Sequence, residues 1–178
     1  MGLSYLENQI RAAKMHGMDA IVRVTRASYS DLIRPLEANA AGIIVPHIMS
    51  LADARQVVNQ TRFHPIGRRP VDGGNADGAY CMIDFKDYIK SSNEQKALIV
   101  QIEDPEPLAD LEAIAELDGI DMLFFGRGDF SHGIGAPAQF DQPLVIETRK
   151  RIASVAREHG KLAGTVGTVA NLPELLDM

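Results

Sequence analysis

Two acidic residues close apolar runs in a way that could build a metal site. Glu103 ends the run ALIVQIE at residues 97–103, and Asp129 follows the run MLFFG at 122–126 after one Arg-Gly step. Each carboxylate stands at or just past the C-terminal end of an expected strand, and a parallel sheet brings such ends to one rim. Two oxygen donors from separate strands, with no cysteine or histidine pair beside them, suit a hard octahedral cation such as Mg2+ or Mn2+ that keeps several waters. The same spacing also fits helix capping. Glu103 or Asp104 precedes a helical pattern at 106–117, and Asp129 could cap a turn over 130–133. Spacing alone leaves both readings open.

The same rim rule selects Arg23 within IVRV, Pro46-His47, Gln101 in VQIED, the turn Gly126 to Asp129, and Thr165 to Gly167. Arg23 lies in an otherwise apolar strand, where an unpaired guanidinium is costly to bury. It either points outward at the strand end or reaches an anion, structural or substrate-borne, that its planar fork can hold. His47 could act as an acid or base or be a satisfied rim side chain, and His132 could support Asp129. His16, His64 and His159 are expected to face solvent. Gly126-Arg127-Gly128 begins a dinucleotide fingerprint, but Ser131 occupies its third glycine position, and Gly133, Gly135 and Pro137 break the helix such a loop must open. His-Glu-x-x-His, Gly-x-Ser-x-Gly and Gly-x-x-x-x-Gly-Lys patterns are absent from the sequence.

These residues need a frame. Ala20 to Val24, Gly42 to Pro46, Ala97 to Glu103, Met122 to Gly126 and Lys161 to Val166 are apolar almost without alternation, as strands covered on both faces are. Helical patterns fall between them. Residues 4–16 open with the capping box Ser4-x-x-Glu7, residues 51–62 and 106–117 fill gaps, and 144–159 puts Leu144, Thr148, Ile152 and Val155 on one stripe before Gly160. The alternation implies an α/β fold with right-handed βαβ crossovers, either a doubly wound open sheet or part of a (β/α)8 barrel. Residues 63–84 show neither period, and their Gly, Pro, Arg68, Arg69, Asp72 and Asp77 suit a functional loop over one end of the sheet or a surface insertion.

At 178 residues and 46% hydrophobic, residues 1–178 fit one domain with a sizeable core. A net charge of -6, with no cluster of Lys and Arg among aromatics, argues against nucleic acid as a partner. No run approaches the roughly 20 apolar residues that cross a bilayer. The single cysteine, Cys81, fits a reducing compartment, so the expected location is cytoplasmic.

Taken in order, IVRV, GIIVPHI, FHPIGRR, VQIED and FFGRGDFSHGIGAPAQFDQP resemble the HpcH/HpaI family of metal-dependent pyruvate aldolases over nearly the whole chain. The resemblance implies a (β/α)8 barrel that reversibly joins or splits pyruvate and an aldehyde. It implies a divalent metal, Mg2+ or Mn2+ with Co2+ also admissible, held by Glu103 and Asp129 and chelating the keto acid. It implies Arg23 on the enolate oxygen, backbone N–H groups around Gly128 and Asp129 on the substrate carboxylate, and Gln101 facing the same site. Arg127 and Gly128 replace the Pro and Ala usual in this turn, a change that bears on anion binding or acceptor preference.

A complete barrel takes about 250 residues and eight strands, whereas five strands are legible here. The family's general base, a His in a D-x-E-H-like segment, has no counterpart in the sequence. The expectation is a partial barrel running from the second helix to the seventh strand, truncated at both ends. Two open strand edges, at Arg23 and at Lys161 to Val166, then favour a homo-oligomer, of trimer or hexamer type, or completion by another chain. Two other functions compete with an active aldolase. One is a citrate-lyase-like or malyl-CoA-lyase-like enzyme, and the other is a metal- and keto-acid-binding remnant lacking its base.

Overall fold

The structure is a computed structural model that describes residues 3–26 and 28–177. Its sheet has five parallel strands in sequence order, β1 (Ile21–Arg23), β2 (Gly42–Val45), β3 (Ala97–Ile102), β4 (Met122–Phe125) and β5 (Leu162–Thr165). Each strand pairs with the next, so every connection must cross over and return, and helices do this. The helices are α1 (Leu3–Met15), α2 (Tyr29–Glu37), α3 (Leu51–Thr61), α4 (Phe85–Gln95), α5 (Leu111–Ala115), α6 (Arg127–Gly133), α7 (Pro143–Glu158) and α8 (Leu172–Leu176).

Strand alternation divides the sheet into two unlike faces. Ile43, Val45, Leu98, Val100, Ile102, Leu123 and Phe125 point to one side and pack on Leu32, Ile33 and Leu36 of α2, Val57 and Val58 of α3, Ile114 of α5 and Ile152 and Val155 of α7. This is the core. Register places Arg23, Ile44, Ile99 and Met122 together on the other face, with Gln101 beside Phe124. That face is closed at its centre, where Ile99 and Gln101 are buried, and opens toward Ile21 and Leu162 at the two edges. The arrangement is that of five consecutive strands of a parallel α/β barrel, with helices outside and the polar site inside.

Several elements differ from expectation. Helix α1 begins at Leu3, so Ser4 and Glu7 stand inside its opening turns and frame no capping box. In α7 the buried stripe runs through Val145, Thr148, Ile152 and Val155, while Leu144 is exposed. The 106–117 segment divides into a 3₁₀ turn at Glu106–Asp110 and the short α5. Residues 63–84 contain a 3₁₀ turn at Ala76–Cys81, interrupted by left-handed Ala79 (φ 46°) and Tyr80 (φ 55°).

That segment also proves to be structural, and it lies at the N-terminal end of the strands, away from Glu103. Arg69 is buried against Asp77 (2.6 Å), whose carboxylate also accepts the Tyr88 hydroxyl (2.8 Å), and its guanidinium stacks 4.6 Å from the Phe63 ring centroid. Just before it, buried Arg62 donates to the carbonyls of Gly119 (2.8 Å) and Lys96 (2.7 Å), residues that precede β4 and β3. Asp121 accepts from both Arg62 and the Leu98 backbone N–H. The long connection is therefore tied down by the buried Arg69–Asp77 pair, while Arg62 satisfies carbonyls of the turns below the sheet.

Candidate active site

At the opposite end the strands deliver their side chains to one rim. Glu103 directly follows β3 and is fully buried. Its Oε1 accepts the His47 backbone N–H at 2.9 Å, and its Oε2 accepts the Gln101 side-chain amide, which lies two residues back on the same face. Arg23, the last residue of β1, donates from Nε to Gln101 Oε1 at 3.4 Å and brings Nη2 to 3.8 Å from Glu103 Oε1. Its side chain is half exposed, so most of its donors remain free for a ligand. The expected alternatives for Arg23 thus merge: it lies at the strand end and faces an anion.

Asp129 enters from the neighbouring strand. It lies in the first turn of α6, whose N-cap is Gly126. A Cβ at Gly126 would come within 2.6 Å of Glu103 Oε2 and 2.8 Å of Gln101 Nε2, so only glycine lets the end of β4 pass this close to the buried carboxylate. Gly128 is different. A Cβ there would meet nothing within 4 Å, and the space above its backbone is open. Arg127 turns its guanidinium onto Phe140, 4.4 Å from the ring centroid.

The third participant is His47, just beyond β2. It has a left-handed backbone (φ 52°), unusual outside glycine and a common mark of functional positions. Its Nδ1 lies 2.9 Å from Asp104 Oδ2 and 3.5 Å from Glu103 Oε1. One ligand atom each from His47, Glu103 and Asp129 falls within 4.8 Å of the other two. Asp104 thus orients His47 instead of capping a helix, and Glu103 spends its oxygens on the site. The capping alternative is not realised for either residue.

Charge explains what such a cluster lacks. Burial pushes the Glu103 carboxyl above the usual carboxylate range, and Asp129 adds to this, while the His47 N–H, the His47 ring and Arg23 pull it back. The hydrogen bond to Asp104 raises His47 above the ordinary histidine value, burial opposes this, and the charges of Glu103, Asp104 and Asp129 reinforce it. Negative charge is concentrated here with incomplete compensation. Two carboxylates and an imidazole around one small space fit a divalent cation in number, donor type and charge.

The profile of the family described as HpcH/HpaI aldolase/citrate lyase matches residues 2–176. The chain belongs to that family. A relative from Klebsiella pneumoniae subsp. pneumoniae, a 2-keto-3-deoxy-L-rhamnonate aldolase, is 31% identical over 159 residues, which is 89% of this chain but 59% of that protein. The chain therefore spans about three-fifths of the length of that relative. Among solved structures, the citrate synthase SbnG superposes with a TM-score of 0.89 at 28% identity, over 99% of this chain and 68% of that one. An HpcH/HpaI aldolase from Desulfitobacterium hafniense DCB-2 gives 0.91 at 22% identity, over 99% and 69%, and shares the fold. This family member thus has the α/β barrel-type frame expected of its sequence.

Arg23, Gln101, Glu103 and Asp129 meet at one rim, with Gly128 on the adjacent turn. His132, expected to support Asp129, is exposed on the last turn of α6 and lies outside the cluster. His16 and His64 face solvent, whereas His159 is half-buried with Nε2 3.7 Å from Glu112. The sequence left His47 between an acid or base and a satisfied rim side chain, and offered Asp104 only as an alternative helix cap. The signal available was the Pro46-His47 step at a strand end, which carries no spacing to Glu103 along the chain.

Proposed function

We propose that this chain carries the keto-acid half of a carbon–carbon lyase site, cleaving a 4-hydroxy-2-oxo acid reversibly to pyruvate and an aldehyde. The observation that carries the reading is the fully buried Glu103 at the end of β3, sharing one small space with Asp129 and faced by the free donors of Arg23. Family membership and the similar 2-keto-3-deoxy-L-rhamnonate aldolase support the reaction class.

A divalent cation held by Glu103 and Asp129 would supply Lewis-acid stabilisation of the charge that builds on the keto oxygen during cleavage. The residues do the rest. Arg23 presents a planar guanidinium whose remaining donors match an oxyanion, and Gln101 fixes its direction through the Nε bond. The first N–H groups of α6, at Gly128 and Asp129, have no acceptor inside the helix, and the space beside Gly128 is open, which suits the substrate carboxylate. Glu103 is held by two hydrogen bonds so that its position is fixed before substrate arrives.

Cleavage also requires an acceptor for the substrate hydroxyl proton, and the family's D-x-E-H-like base has no counterpart in these 178 residues. The reading of a binding remnant and that of an active lyase therefore separate at one step. No helix among the described residues is long and apolar enough to cross a membrane. The free, exposed Cys81 fits a reducing, cytoplasmic compartment, and the two open sheet edges suit a homo-oligomer.

The test is metal-dependent exchange of pyruvate methyl protons, together with pyruvate release from 4-hydroxy-2-oxo acids, compared with Glu103→Gln. Exchange and release that vanish in the variant establish the lyase. Metal-dependent pyruvate binding without either reaction leaves a binding remnant. Failure to bind pyruvate with any divalent metal refutes both.

A further inference from the structure

We infer that His47 is a third metal ligand, and that the site therefore prefers a borderline transition-metal ion such as Co2+ to Mg2+. This rests on the reading of Glu103 and Asp129 as ligands and adds to it.

The backbone is the first argument. His47 is held at φ 52°, and this conformation lets its N–H reach Glu103 Oε1 at 2.9 Å while its ring turns toward the same carboxylate, with Nδ1 3.5 Å away. A side chain that merely finished a strand could relax to an ordinary conformation and face solvent. The second argument is orientation. Asp104 Oδ2, 2.9 Å from Nδ1, fixes the ring plane and engages that nitrogen, which leaves Nε2 as the coordinating nitrogen, and a carboxylate on the other ring nitrogen is the usual device for orienting a metal-binding imidazole.

Spacing is the third argument. Ligand atoms about 2.1 Å from a shared ion lie roughly 3 Å apart when adjacent and about 4.2 Å apart when opposite. The three ligand atoms, all within 4.8 Å of one another, exceed these values by at most an amount that the exposed side chain of Asp129 can close by rotation, while buried Glu103 and the His47 ring held by Asp104 stay in place. One nitrogen and two oxygens then change the preference of the site. Mg2+ favours an all-oxygen shell, whereas affinity for a mixed N and O site rises from Mn2+ toward Co2+ and Ni2+.

The experiment uses the chain with Mg2+, Mn2+ and Co2+ by isothermal titration, and pulsed EPR of bound Mn2+ to detect a coordinated nitrogen. His47→Gly is the informative variant, because glycine adopts φ 52° without strain and keeps the N–H that holds Glu103. The expected result is tighter Co2+ than Mg2+ binding and a nitrogen coupling in the wild type. In His47→Gly the coupling disappears and Co2+ affinity falls by at least the roughly 10- to 100-fold that loss of an outer-shell partner costs, while Mg2+ affinity hardly changes. Mn2+ bound without nitrogen coupling, with unchanged Co2+ affinity in His47→Gly, overturns the inference. The Glu103 and Asp129 reading survives that outcome provided Glu103→Gln abolishes Mn2+ binding. No Mn2+ binding by the wild type overturns both.

Discussion

Glu103→Gln should separate the stability of this chain from its affinity for metal. In the metal-free protein the glutamine keeps a carbonyl oxygen for the His47 N–H, but its amide meets the Gln101 amide donor-to-donor. Turning the Gln101 amide over removes that conflict at the expense of the 3.4 Å bond from Arg23 Nε. One neutral hydrogen bond is worth about 1 kcal/mol. Against this, the variant no longer buries a carboxylate whose ionised form is disfavoured by desolvation. The two effects oppose each other, so metal-free stability should change by no more than about 1 kcal/mol, or roughly 2–4 °C in Tm for a chain of this size. Metal behaves differently. At 100 times Kd a ligand stabilises the native state by about 2.7 kcal/mol, which is roughly 5–10 °C here. If the lost carboxylate weakens binding about 100-fold, the same metal concentration yields only about 0.4 kcal/mol. Thermal unfolding of both proteins with and without Co2+ or Mn2+ reads the difference directly. A variant that keeps the full metal-dependent shift, or a wild type that shows none, refutes the assignment of Glu103.

Three further outcomes test the frame and the rim. Asp77→Ala strands the Arg69 guanidinium among Phe63, Tyr88 and Ser92 and should cost about 3–5 kcal/mol by urea unfolding, whereas replacing Arg69 and Asp77 together by Met and Leu should recover most of it. Burial, with Lys14 nearby, lowers Lys96 from 10.5 to about 8, so the unfolded chain binds more protons between those values and wild-type stability gains with pH across that window. Urea unfolding of Lys96→Met should lack that gain, and an identical pH profile would count against the buried ammonium. Gly128→Ala should raise stability by about 0.5 kcal/mol, because a helical glycine with open space around it gains from a methyl group. Pyruvate affinity should persist in that variant since the N–H remains, and its loss would place substrate against the Cα instead.

The fold was legible because its signal is local. Fully covered strands such as ALIVQI leave uninterrupted apolar runs, and parallel pairing in sequence order follows once helices alternate with them. What escaped was set by tertiary partners. Helix α2 carries Pro35 within it, and α4 reads as polar apart from Tyr88 and its neighbours, so neither announces its limits. The 63–84 segment has no period because it is held by side-chain pairings such as Arg69 with Asp77, and Arg62 just before it reaches residues as distant in sequence as Asp121.

The site divides along the same line. Glu103 and Asp129 could be found from sequence because each is tied to the end of an apolar run, and strand ends converge in any parallel α/β frame. His47 was selected by the same rule, but its place in the cluster could not be read from sequence, because it depends on which way one residue turns. In the structure a left-handed backbone at this position accompanies an N–H and an imidazole that both face Glu103. Sequence records the histidine, whereas the fold chooses its φ. Gly126 completes the logic from the other side, since any larger residue there would push β4 away from Glu103 and separate Asp129 from its partners. The chemistry of this rim thus rests on two backbone positions as much as on its charged side chains. Gly126→Ala should accordingly disturb metal binding more than Gly128→Ala, though both residues belong to the same short turn.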